Sequence, residues 1–156
     1  MFSISLKDGG SRYLNYTMSD NNKLQVLQNK LNRVLTRSGH MTSTVDLLRQ
    51  TETLSIQQMI AFQTIMLAFK IIHSSKPKYL YDKLKFDERN YLLRDGSNKL
   101  KRLNYKLNQS REGFIYRAIT LFNMLDQTLR QETIIRVFKK EARIWVEKNV
   151  RVKPKT

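Results

Sequence analysis

The stretch Ser55 to His73, SIQQMIAFQTIMLAFKIIH, decides the fold. Ser55 is a good N-cap, and Gln58 stands three residues on, the signature of a capping box. The residues Ile65 to Phe69 are all apolar, and Ile71 and Ile72 follow. A helix apolar most of the way round must be surrounded by protein or lipid. Gln57, Gln58, Gln63, Thr64 and Lys70 interrupt this one, and its uninterrupted run is far short of the roughly 20 residues that a membrane span needs. The expectation is a mainly α, single-domain helical bundle around this central buried helix, about 55–73.

On the N-terminal side, Ser19 or Asp20 caps a helix running to about Arg37. Leu24, Leu27, Leu31, Val34 and Leu35 recur at helical spacing and are expected to face the core. Lys23, Lys30, Arg33 and Arg37 stay off that stripe, and Ser38-Gly39 stops the helix. Ser43 with Asp46 signals a short second helix with Leu47 and Leu48 inward. Upstream, Phe2, Ile4 and Leu6 alternate as in a short strand before the Asp8-Gly9-Gly10-Ser11 turn; a weakly ordered segment over 1–18 is the favoured reading.

Beyond the central helix, Pro77 suits the first position of a short helix to Leu84, with Tyr79, Leu80 and Leu84 as contacts. Asp95-Gly96-Ser97-Asn98 reads as a turn. Leu103, Tyr105 and Leu107 alternate with polar residues, which gives either a short strand or an extended basic arm over 99–108. Ser110 begins a helix to about Leu125, with a wide apolar face from Phe114 onward. A last helix runs from about Thr133 to Asn149, with Ile134, Phe138, Ala142 and Trp145 on one face. The helical domain thus covers 19–149, and 150–156 forms a basic tail.

Charge is the outlying property. The 156 residues carry 29 Lys and Arg against 13 Asp and Glu, a net charge of +16. The excess is +6 over residues 1–78 and +10 over 79–156. Like charge crowded on a compact chain repels itself, so an anionic partner is expected, nucleic acid first. There is no cysteine, which removes disulfide frameworks, thiolate metal sites and thiol catalysis. Met1 to Tyr13 has no apolar core of signal-peptide length, so the expected location is nuclear or cytoplasmic.

No catalytic constellation is visible. His40 follows Gly39 and His73 ends the central helix; neither has a metal-ligand spacing, so no metal and no cofactor is expected. Asp87-Glu88 is the only adjacent carboxylate pair, in a polar stretch that offers no enforced separation. There is no Walker A or GxGxxG motif. What remains is cations interleaved with aromatics. Arg94, Lys99, Lys101, Arg102, Lys106 and Arg117 are the first candidates for phosphate contacts, with Tyr105 as the stacking residue. Lys30, Arg33, Lys139, Lys140 and Arg143 are second.

Five pieces of the chain also follow one another in a familiar order. They are Leu27-Gln28-Asn29-Lys30 with Arg33; Leu54-Ser55-Ile56 with Phe62 and Phe69-Lys70-Ile71; Pro77-Lys78-Tyr79-Leu80; Arg89-Asn90-Tyr91-Leu92-Leu93-Arg94; and Leu121-Phe122-Asn123-Met124-Leu125, followed by Phe138-Lys139. In order and spacing, over about residues 20–148, they resemble the C-terminal region that follows the polymerase domain in Jockey-like non-LTR retrotransposon reverse transcriptases. Asp126 stands where that family has Pro, Arg89 where it has His, and Leu93 where it has Thr. The resemblance implies a thumb-like helical bundle that holds template–primer, RNA or an RNA/DNA hybrid. The F/Y-x-D-D carboxylates by which that family polymerises are absent from the sequence, so no enzymatic activity is expected. Such a chain fits either an expressed fragment or a stand-alone gene derived from an element.

The expected function is therefore non-enzymatic nucleic-acid binding with little sequence preference. The rival is a protein-interaction module, binding an acidic partner or its own copy through apolar residues of the Phe114–Leu125 helix. Membrane binding is not expected, because the most basic helix lacks a long stripe for insertion.

Overall fold

The computed structural model describes residues 18–87, 98–103 and 113–152. Among these the architecture is all α, as expected: α1 (Met18–Thr36), α2 (Thr44–Gln50), α3 (Ile56–Ser74), α4 (Lys78–Tyr81), α5 (Phe114–Met124), α6 (Gln127–Arg130) and α7 (Ile135–Asn149). The only β pairing among them is an isolated antiparallel bridge between Phe86 and Leu100. The sequence reads as one domain, and within it the contacts form two compact units. One comprises the described residues up to Ile60 together with those from Glu147 onward; the other is Ala61–Val146. The boundaries fall inside α3 and α7 rather than at a linker. The expected N-terminal strand, Ser110, and residues 104–108 of the expected arm lie outside the described residues.

The first unit is organised by the start of α3. A helix leaves its first N–H groups without intrahelical partners, and burial makes that costly. Ser55 and Gln58 form the expected capping box: the Ser55 hydroxyl accepts from the Gln58 amide at 3.2 Å, and Gln58 Oε1 accepts from the Ser55 amide at 3.0 Å. The next amide, Ile56, donates to Gln25 Oε1 of α1 at 2.9 Å. Gln28 Nε2 donates to the Leu54 carbonyl at 2.8 Å, and Gln58 Nε2 to the Val150 carbonyl at 2.9 Å. Val150, assigned to the tail from sequence, is only 1% exposed. Asn29 Nδ2 reaches the Thr44 hydroxyl at the start of α2, where Ser43 caps as expected and Leu47 and Leu48 are buried.

These bonds require α1 to turn its polar face inward. Asn21, Asn29 and Asn32 are buried, with Gln25 and Gln28 half-buried beside them. The stripe that periodicity assigned to the core is on the outside instead, from 48% exposed at Leu24 to 75% at Val34. Helical spacing fixes which residues share a face; it does not fix what that face meets. At the other end α1 stops where expected, at Thr36, but by a different device. Arg37 takes the left-handed conformation (φ 52°), and the Ser38 amide closes back on the Arg33 carbonyl at 3.1 Å, so Gly39 is not the terminator.

In the second unit α3 is buried on most sides, with Ala61, Ile65 and Ala68 fully covered. Phe69 stacks on Phe138 of α7, ring centroids 4.0 Å apart. His73 lies over Phe69, and its Nδ1 is 2.9 Å from the Phe69 carbonyl, the capping arrangement its place at the helix end suggests. On α5, Ala118, Ile119, Leu121 and Phe122 are buried; on α7, Phe138, Ala142, Trp145 and Val146 are. Two inward assignments and one helix boundary are corrected. Ile134 precedes α7 and is 58% exposed, Tyr79 is 68% exposed, and Pro77 stands just before α4 rather than in its first position. Leu84, as expected, is buried.

Two substitutions test these placements. Arg37→Gly removes the left-handed penalty of about 1 kcal/mol for a side-chain-bearing residue, so a higher urea midpoint is expected at unchanged m-value. Asn123 of α5 holds the 99–101 segment by two bonds, from its Nδ2 to the Leu100 carbonyl at 2.8 Å and from the Leu100 amide to its Oδ1 at 2.7 Å. Asn123→Asp sets an acceptor against that carbonyl and is expected to cost about 1–3 kcal/mol in the same experiment. An unchanged midpoint would mean that the segment is not fixed by this side chain.

Candidate nucleic-acid interface

A row of exposed cations lies on α7. Ile135–Asn149 forms a helix because Phe138, Ala142, Trp145 and Val146 give it one buried face. The Glu132 carboxylate accepts from the Thr133 and Ile134 amides at 2.8 Å each, ahead of the first turn. Arg136, Lys139, Lys140 and Arg143 are all exposed and stand at i, i+3, i+4 and i+7, so they share one face, away from the buried one. Lys139, Lys140 and Arg143 are sequence candidates. Arg136 was missed, although its spacing from Lys140 places it in the same row. The row is about 10 Å long at 1.5 Å per residue.

A second basic piece is the segment around Leu100. Leu100 is 1% exposed and pairs with Phe86, flanked by bonds from the Asp87 amide to the Lys99 carbonyl and from the Lys101 amide to the Lys85 carbonyl, each 2.8 Å. The outer edge of the segment is taken by the Asn123 amide, which replaces a neighbouring strand. Asn123 is held in turn because α5 ends on a buried Arg130, whose Nη1 donates to the carbonyls of Asn123 at 3.1 Å and Leu125 at 2.7 Å. A cation there suits the negative end of a helix. Lys85 and Lys101 stand at facing positions across the bridge, and both are exposed. Like charges so placed repel, and an anion between them relieves the repulsion. Lys85 was not a sequence candidate, because only the pairing brings it to Lys101. Arg102 is exposed and Lys99 half-buried.

The remaining candidates are placed less favourably. Lys30 is exposed on α1, in the other unit. Arg33 is half-buried and donates to the Thr42 carbonyl at 3.4 Å. Arg117 is half-buried on α5, with a buried Nε that finds no acceptor. Arg94, Tyr105 and Lys106 lie outside the described residues. Phe86 is 41% exposed at the bridge itself, and along paired backbone its side chain leaves the opposite face from Lys85 and Lys101. Among the described residues no group of three His, Cys, Asp or Glu side chains is placed to hold a metal ion, and no helix is long and apolar enough to cross a membrane.

Compared with known proteins, the chain matches no family model, no curated protein and no solved structure, so its functional reading rests on its own residues.

Proposed function

We propose that this chain is a non-enzymatic, nucleic-acid-binding helical module that contacts the phosphate backbone with little sequence preference. The observation that carries the reading is the exposed row Arg136, Lys139, Lys140 and Arg143, set on a rigid helix whose opposite side is anchored by Phe138 and Trp145. Such a row neutralises successive phosphates and releases their counterions without reading bases. The Lys85–Lys101 pair with Arg102 is the second contact. The net charge of +16 supports the reading. The resemblance to a post-polymerase region favours RNA or an RNA/DNA hybrid as ligand, a retrotransposon derivation, and a nuclear or cytoplasmic location.

A protein-interaction role is the second reading, and one observation favours it: the exposed apolar side of α1. The α5 face offered for that role by the sequence has Ala118, Ile119, Leu121 and Phe122 buried.

Fluorescence anisotropy with a labelled single strand, a hybrid and a duplex, titrated across salt, tests the proposal. A linear fall of log affinity against log salt is expected. Each of Arg136→Ala, Lys139→Ala and Lys140→Ala should flatten the slope by about 0.7–0.9 and weaken all sequences alike. Absence of saturable binding at ~50 mM salt overturns the reading. Binding that ignores the α7 substitutions removes this row as the contact.

A further inference from the structure

We infer that the outer side of α1 is a docking seam for an acidic amphipathic helix of a partner protein. Leu24, Leu27, Leu31 and Val34 stand at alternating steps of three and four residues, the a and d positions of a coiled-coil seam. All are exposed, Leu27 at 60% and Leu31 at 59%, and Leu35 beside them is exposed at 66%. The opposite side of the helix is committed, since Gln25, Gln28 and Asn29 bond to the residues that begin α2 and α3. The apolar side is therefore presented by a helix that cannot roll over to hide it. Single exposed leucines are ordinary; a continuous stripe along a fixed helix is not.

Charge decides the occupant. The position flanking the seam on one side, g of each heptad, is Lys23 and then Lys30, and Arg37 follows immediately past the helix end. The only carboxylate of α1 is Asp20, near its start. In a seam formed with a second copy, these cations would meet either each other or the neutral Gln28 and Leu35, and two chains of net charge +16 would be brought together. A helix with leucines on its seam and Glu or Asp along the flanks buries the stripe and pairs the cations at once. This inference is independent of the α7 row.

The test uses the full chain and, as probe, two designed peptides of roughly three heptads with Leu at a and d, one carrying Glu at e and g and the other Lys. Isothermal titration at ~50 mM salt should show saturable binding of the Glu peptide and at least about tenfold weaker binding of the Lys peptide. Leu27→Glu with Leu31→Glu should weaken the Glu peptide on the order of 100-fold while circular dichroism stays unchanged, because both positions are exposed. Lys30→Glu with Arg37→Glu leaves the stripe intact and should reverse the preference between the peptides. That second variant carries the test if the leucine variant loses helicity. Equal binding of the two peptides, or a preference unmoved by the charge reversal, overturns the inference. A concentration-dependent dimer mass abolished by Lys30→Glu with Arg37→Glu or by the leucine pair makes the occupant a second copy and overturns it too. Binding to anionic vesicles but to neither peptide makes it a membrane surface, with the same consequence.

Discussion

The start of α3 sets the terms for the first unit. A buried helix cannot begin without partners for its leading amides, and here three side chains from two parts of the chain supply them: Ser55 and Gln58 from within, Gln25 from α1. Each bond is worth only about 1 kcal/mol net, but the cost of leaving one of these groups buried and unpaired is larger. The arrangement is therefore held less by what it gains than by what its loss exposes. Gln58 spends its remaining donor on Val150, so the same side chain that starts α3 also fixes the residue after α7.

That constraint explains why α1 is oriented against its own hydrophobicity. Covering Leu24, Leu27, Leu31 and Val34 would stabilise by about 1.5–3 kcal/mol each. It would also withdraw Gln25, Gln28 and Asn29 from three contacts that satisfy backbone or hydroxyl groups elsewhere. The polar side takes the inner place because the groups it serves are buried or half-buried and would lose their partners. The apolar stripe is left outside, and its four exposed residues make an unfilled seam rather than a defect of packing.

Local signals in the sequence were legible where structure is local. The Ser55–Gln58 box, the Ser43 cap on Asp46, the burial of Leu47 and Leu48, and the Phe138, Ala142 and Trp145 face of α7 all follow from spacing along one element. The orientation of α1 did not, because it depends on Ile56 and Leu54, which lie 31 and 26 residues from their partners. The Phe86–Leu100 bridge and the Asn123 clamp were invisible for the same reason: nothing near Leu100 announces that an amide 23 residues on will take its outer edge. Of the candidate cations, those on α7 formed a row because helical spacing carried over directly. Arg136 was within reach of the same reasoning. Lys85 was not, since only the Phe86–Leu100 bridge reveals it.

The net charge connects the two proposals. A chain at +16 gains from any anion that neutralises it, so a polyanion on the α7 row and an acidic helix on α1 draw on the same electrostatic free energy. Where the two sites lie within a Debye length of each other, neutralisation by one ligand lowers what the other can gain, even with no contact between them and no conformational change. Linkage makes this reciprocal: if nucleic acid weakens the acidic helix by some factor, the helix weakens nucleic acid by the same factor. Screening separates this coupling from a mechanical one. A purely electrostatic antagonism fades as the Debye length falls toward ~3 Å in about 1 M salt, whereas a coupling through packing persists. The apolar seam of α1 adds a term that salt does not screen, so the acidic helix would retain affinity at ionic strengths where a phosphate backbone is already lost.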